Sequence, residues 1–303
     1  MHCWKDLNKD AASGVDQVTA EAYEENLDAN IHNLAKRLKN KRYRAKLVRR
    51  CYIPKDNGKQ RPLGIPALED RLVQLACAKI LSSIFESDFV DTSYGYRLNR
   101  SAKEAIEDLQ FNLQFGKFGY VVEADIKGFF DNIEHKWLQR MLRERIDDRA
   151  FLNLIGKWLK AGILDTDGKI LHPDTGTPQG GTVSPVLANV YLHFALDLWF
   201  QKRVKAHCRG DAFILRYADD FLCAFGYRED AERFYQALPV RLSKFNLAVA
   251  PEKTKILRFS RFHPGMQRRI DFLGFETYWM KDSKGVARVE QRTARKKLHP
   301  QVA

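Results

Sequence analysis

The stretch that most restricts the fold of this chain is an apolar run from Ala212 to Leu215, then Tyr217-Ala218-Asp219-Asp220, then a second apolar run from Phe221 to Phe225. Two apolar runs split by a short polar tip read as strand, tight turn, strand, with two carboxylates at the tip. Adjacent acids repel unless both face water or a cation sits between them. Taken alone, the pair is satisfied by a solvated acidic turn. A third acid shifts that balance. Residues Tyr120 to Ala124 read as a buried strand that ends in Asp125, after which Lys127-Gly128-Phe129-Phe130-Asp131 turns away into a helix. Two strands that each end in Asp can lie side by side and bring their carboxylates together. Oxygen ligands of that kind suit a hard divalent cation, and metal plus carboxylates is the chemistry of phosphoryl and nucleotidyl transfer. The plainer use of Asp125 is as N-cap of the following helix.

Charge points the same way. The 303 residues carry a net charge of +13, and the basic residues cluster. Nine Lys or Arg and no acid lie between Lys36 and Arg50, and further groups are Arg258, Arg261, Arg268 and Arg269, then Arg288 to Lys297. A solvated helix face would carry compensating acids. Basic groups interleaved with Tyr43, Phe259 and Phe262 suit a polyanion with bases to stack on. Five scattered cysteines without a Cys-x-x-Cys pair suggest neither a zinc site nor a disulfide framework. With no run of eighteen apolar residues and no signal-like start, a cytoplasmic protein without a membrane span is expected.

A 45% hydrophobic chain of this length fills one large core or two subdomains sharing a cleft. Helices are expected over Thr19 to Asn40, Leu68 to Phe85, Ser101 to Gln114 (opening with a Ser-x-x-Glu capping box), His135 to Arg145, Arg149 to Lys160, from Ser184 onward, and over Arg228 to Phe245. Strands are expected over Lys46 to Pro54, Ile170 to Pro173, Lys255 to Phe259 and Ile270 to Phe275. Helices and strands that do not alternate strictly argue for an α+β fold.

Seven segments then fall into a recognisable order. They are Tyr52-Ile53-Pro54-Lys55; Gly58-Lys59-Gln60-Arg61-Pro62-Leu63-Gly64-Ile65-Pro66; Ala124 to Asp131; Gly176-Thr177-Pro178-Gln179-Gly180-Gly181 with Ser184 to Asn189; Tyr217 to Asp220; Pro251-Glu252-Lys253-Thr254-Lys255; and Phe272-Leu273-Gly274-Phe275. Any one is weak, but the ordered set over about residues 12 to 280 resembles a reverse transcriptase, most closely those encoded by bacterial group II introns, the maturase family. The resemblance implies a right-hand polymerase fold: an antiparallel palm sheet backed by helices, with a mixed fingers subdomain. Fingers are expected over 1–115, mainly palm over 116–280 with part of the fingers returning at about 150–180, and the start of a thumb over 281–303.

The resemblance also implies an RNA-directed DNA polymerase using two Mg²⁺ ions, for which Mn²⁺ substitutes. Its partners would be an RNA template, a DNA or RNA primer, dNTPs and group II intron RNA, with a homodimer left open. Asp125, Asp219 and Asp220 would be catalytic and hold the metals, with the backbone carbonyl of Ile126. Arg61 and either Lys55 or Lys59 would meet the triphosphate. Phe130 would sit under the sugar and exclude a 2′-hydroxyl, unless Phe129 is the gate. Gln179, Gly180 and Gly181 would approach the nascent base pair, Lys253 the pyrophosphate, Phe272, Leu273 and Gly274 the primer end, and Tyr217 would abut it. Alternatives are an RNA-binding splicing cofactor without polymerase activity, or a reverse transcriptase of a retron, diversity-generating or CRISPR-linked element.

Overall fold

The computed structural model describes residues 1–54, 58, 60–177 and 180–294. Lys55, Lys59 and Gln179 therefore lie outside the described residues. Among the described residues the strands are β1 (Val48–Pro54), β2 (Gln60–Ile65), β3 (Tyr120–Ala124), β4 (Ile163–Leu164), β5 (Ile170–Leu171), β6 (Ala212–Tyr217), β7 (Asp220–Phe225), β8 (Lys255–Arg258), β9 (Arg269–Phe272), β10 (Phe275–Lys281) and β11 (Ala287–Thr293). The chain forms two compact units, 1–87 with 130–191, and 88–129 with 192–303. The boundary read from sequence at 115/116 falls inside the second unit.

The first unit is mainly helical. Its sheet runs β2-β1-β4-β5, with β1 antiparallel to β2 and parallel to β4. Gly58, between β1 and β2, has φ +74°, which glycine reaches without a Cβ penalty. The helix expected over Thr19 to Asn40 is two, Ala20–Glu24 and Leu27–Lys39. The break lets the buried Tyr23 ring pack on Trp4 at 5.5 Å, and the Asn30 amide donates to the Tyr23 carbonyl that the break frees, at 2.9 Å. The basic segment after Leu27–Lys39 is pinned by a buried network. Asp70 accepts from the Tyr43 hydroxyl and, at 2.9 Å, from the Lys46 backbone N–H, while Trp158 donates to the Tyr43 hydroxyl at 2.8 Å. Burial pushes the Asp70 carboxyl up.

The second unit is built on the sheet β6-β7-β3-β8, all neighbours antiparallel. Val121, Leu215, Leu222 and Ala224 are fully buried beneath helix Ala102–Phe115, which contributes Ala105, Ile106 and Leu109. The expected capping box is present: Ser101 Oγ accepts from Glu104 N at 3.2 Å and Glu104 accepts from Ser101 N at 2.6 Å. A second sheet, β11-β10-β9, packs Ile270, Phe272, Trp279 and Val289 into the same core.

Two readings need correction here. Ile270 to Phe275 is not one strand: Leu273 (φ +51°) and Gly274 (φ +80°) form the two-residue turn between β9 and β10, the pair of positive φ values that a tight hairpin demands. And 281–294 does not read as the start of a helical thumb, because β11 pairs with β10 over seven residues, Phe275 opposite Thr293 to Lys281 opposite Ala287.

Candidate active site

The β6–β7 hairpin forms as its sequence requires, with Tyr217 opposite Asp220 and Ala218-Asp219 as the two-residue turn. Ala218 takes φ +57°, a left-handed conformation that an L-residue holds only against a steric cost of about 1–3 kcal/mol. β3 lies beside β7, Ala124 opposite Phe221, so Asp125 follows directly from the strand that neighbours Asp220. The chain after Asp125 is fixed by backbone bonds: Ala250 N donates to Asp125 O and Lys127 N to Ala248 O, both at 2.8 Å.

A cleft of about 450 Å³ in the second unit is lined by Asp125, Asp220, Lys253, Phe272, Leu273 and Gly274, among others. Six residues expected at the site from widely separated motifs thus share one wall. Asp219 stands at the turn, half-buried. The electrostatics of the cluster are plain. Asp220 reaches solvent, yet partial desolvation first, then the charges of Asp219 and Asp125, push its carboxyl up to about 6, while Lys253 pulls the other way. Asp125 is held by the Lys253 ammonium. That hydrogen bond raises the Lys253 pKa, so the ammonium stays protonated.

Among the described residues no three His, Cys, Asp or Glu side chains close into a finished ligand set. The chemistry of the donors nevertheless fits a divalent cation. All are carboxylates, the hard oxygen ligands such ions take, and the neighbouring charges of Asp219 and Asp125 add to the desolvation that raises the Asp220 carboxyl. Ile126 is buried directly beyond Asp125. One consequence is measurable. Since Asp220 holds its proton to higher pH in the folded protein than the ordinary carboxyl range, its contribution to stability is present at low pH and lost as pH rises through about 6. A cation bound to the cluster competes with that proton. Calorimetric titration with Mg²⁺ in buffers of different ionisation enthalpy should show proton release at pH 6 and little at pH 8. Equal release at both, or the same release from Asp220→Asn, would contradict this assignment.

Other expected residues fall as follows. Tyr217 is half-buried and packs on the core under the turn. Arg61 is exposed on β2, opposite Ile53. Gly180 has φ +112°, and a Cβ there would stand 2.5 Å from the Gly64 carbonyl oxygen, so only glycine fits. Gly181 is buried and accepts from Ser184 N at 3.1 Å. Phe129 and Phe130 are both buried, at 2% and 7% exposure. Three residues near the turn were missed from sequence: Arg216, Asp197 and Gly95. The available signal was Arg216 itself, a charge inside a strand whose neighbours are apolar.

Comparison with known proteins fits this geometry. Residues 53–277 match the family model described as reverse transcriptase (RNA-dependent DNA polymerase). The group II intron-encoded protein LtrA of Lactococcus lactis subsp. cremoris is 43% identical over 188 residues, 61% of this chain and 30% of LtrA. Protein YkfC of Escherichia coli K12 is 40% identical over 185 residues, 59% of this chain and 48% of YkfC. A putative COX1/OXI3 intron 1 protein of Saccharomyces cerevisiae is 29% identical over 273 residues, 75% of this chain and 32% of that protein. The chain thus spans less than half the length of these relatives. Among solved structures, telomerase from Candida albicans, in complex with a TWJ fragment of telomeric RNA, shares the fold with a TM-score of 0.60 at 16% identity, over 86% of this chain and 49% of that one. No helix among the described residues is long and apolar enough to cross a membrane. With the family model covering well over half of the chain, from the end of β1 through β2 and both acid-bearing strands to the start of β10, the chain belongs to the reverse transcriptase (RNA-dependent DNA polymerase) family.

Proposed function

We propose that this chain is the polymerase part of a group II intron-encoded reverse transcriptase, copying RNA into DNA and binding intron RNA as a maturase. The observation that carries the reading is the meeting of Asp125 and the Asp219-Asp220 turn from adjacent strands, where desolvation and then the neighbouring carboxylates raise Asp220. Divalent cations held there, Mg²⁺ by preference with Mn²⁺ able to substitute, would lower the pKa of a primer 3′-hydroxyl and neutralise the α-phosphate and leaving pyrophosphate. Asp125, Asp219 and Asp220 would hold them, with the Ile126 carbonyl. Lys253 is a protonated ammonium beside Asp125; released from that carboxylate, it neutralises pyrophosphate or gives it a proton. The turn Phe272-Leu273-Gly274 holds the primer end on the wall of the same cleft, and Tyr217 abuts it. By motif, Arg61 with Lys55 or Lys59 binds the triphosphate, where a guanidinium grips phosphate bidentately. By the same resemblance Gln179, Gly180 and Gly181 meet the nascent pair.

RNA binding has its own support. In the first unit a groove of about 760 Å³ is lined by Arg44, Arg143, Lys157, Lys160 and His135, with no acid among its described lining residues. Cations without compensating acids suit a phosphate backbone.

Template-directed extension of a primer on RNA, with dNTPs and Mg²⁺, tests the whole reading. Tight, salt-sensitive RNA binding without extension would favour the splicing-cofactor reading instead. The sugar gate is tested within the same assay. Phe130→Val is expected to raise ribonucleotide use relative to deoxyribonucleotide use by about tenfold or more. An unchanged ratio, with the shift found in Phe129→Val, would move the gate to Phe129.

A further inference from the structure

The turn that carries Asp219 is braced by charged side chains deep in the second unit. Arg216 is 1% exposed and Asp197 0%. The guanidinium grips the carboxylate as a fork, Nε to Oδ1 at 2.9 Å and Nη2 to Oδ2 at 2.6 Å. Its remaining arm, Nη1, donates to the Ala218 carbonyl at 2.9 Å. Arg216 is also fixed by its backbone. Its N–H donates to Thr92 O at 2.9 Å and its carbonyl accepts from Tyr94 N at 2.8 Å. The next residue, Gly95, comes so close that a Cβ there would stand 2.3 Å from Ala218 N. Ala218, at φ +57°, is thus held on both sides.

We propose that Arg216 and Asp197 are positioning residues, a buried guanidinium–carboxylate brace that holds the Ala218-Asp219 turn in its left-handed geometry and so sets where Asp219 stands. The proposal rests on the polymerase reading above. Stability alone does not account for the pair. Apolar residues of similar volume often replace a buried ion pair with no loss of stability. What they cannot supply is a donor to the Ala218 carbonyl, and that carbonyl belongs to a residue whose left-handed φ carries a steric cost that glycine escapes. Arg is required for the shape: one planar group serves the carboxylate with two donors and the turn with a third.

The test uses four variants of the whole chain, each first checked by thermal melting. Arg216→Met with Asp197→Leu removes both charges. Arg216→Lys keeps a charge opposite Asp197 but loses the fork and the reach to Ala218. Adding Ala218→Gly to either supplies a residue that needs no brace. In primer extension on RNA the expected result is a fall in kcat of about 10²-fold, with the KM for dNTP within about twofold and partial recovery of kcat on adding Ala218→Gly. Mn²⁺ affinity, followed by electron paramagnetic resonance, is expected to weaken by about tenfold or more. A folded variant with parental kcat and parental Mn²⁺ affinity overturns the brace. So does a kcat loss that Ala218→Gly leaves untouched. If the charge-free pair melts far below the parent, Arg216→Lys decides by the same criteria. If the parent itself does not extend primers, the polymerase reading fails, and the Mn²⁺ comparison still decides the brace.

Discussion

Asp219→Ala is expected to abolish primer extension on an RNA template, lowering the rate by roughly 10³-fold or more at saturating Mg²⁺ and dNTP, while the melting temperature stays near the parent's. The asymmetry follows from where the residue stands. Asp219 is half-buried at the tip of a two-residue turn and belongs to no core cluster, so the fold loses little when its carboxylate goes. The cluster loses one of three acids, and with it one of the charges that raise Asp220. The Asp220 carboxyl should therefore titrate lower in the variant, a second readout visible by carboxyl-selective NMR. Near-parental extension would show that the turn is not the metal site.

Removal of the chain from Ala287 onward is expected to unfold the second unit, and Trp279→Ala in the intact chain to cost about 3–5 kcal/mol. β11 pairs with β10 along its whole length. It is also stitched to helix Ala102–Phe115: the Gln110 amide donates to Val289 O at 2.7 Å, Val289 N to Gln114 Oε1 at 2.6 Å, and the Gln291 amide to Ile106 O at 2.7 Å. Without β11 the Gln110 and Gln114 side chains and the outer edge of β10 lose their partners, and Trp279, 2% exposed, loses its cover. Chemical denaturation followed by tryptophan fluorescence measures both effects. A truncated chain that unfolds with the parent's midpoint would mean that β11 is ornamental.

The two outcomes mirror how legible the sequence was. The β6–β7 hairpin could be read because apolar runs flank a short acidic tip, and helix Ala102–Phe115 because its capping box is local. β11 could not, because Ala287 to Thr293 is mostly polar and only Val289 is deeply buried; its stability comes from glutamines on a helix some 175 residues earlier. The turn at Leu273-Gly274 was hidden because Phe272 to Phe275 is apolar on both sides and reads straight through as strand. Lys253 was recognised by motif, but its grip on Asp125, 128 residues away, is a tertiary fact. Arg216 was passed over for the opposite reason: a lone charge beside an apolar run gives no hint of Asp197, which sits in a π-helical turn, His193–Asp197, that shifts the helical register.

The order of the strands along the chain has a consequence for how the protein is made. The first unit is complete once Tyr191 has been synthesised, but the second draws on 88–129 and then on 192–303. β3 emerges with Val121 and Val122, both destined for full burial, and its neighbours β7 and β8 begin at Asp220 and Lys255. At ribosomal speeds of about 5–20 residues per second, a gap of about a hundred residues leaves β3 without partners for roughly 5–20 s. For that interval the strand that will deliver Asp125 is an apolar segment with two open edges, and the nascent chain is most exposed to aggregation at the element around which its second unit later assembles.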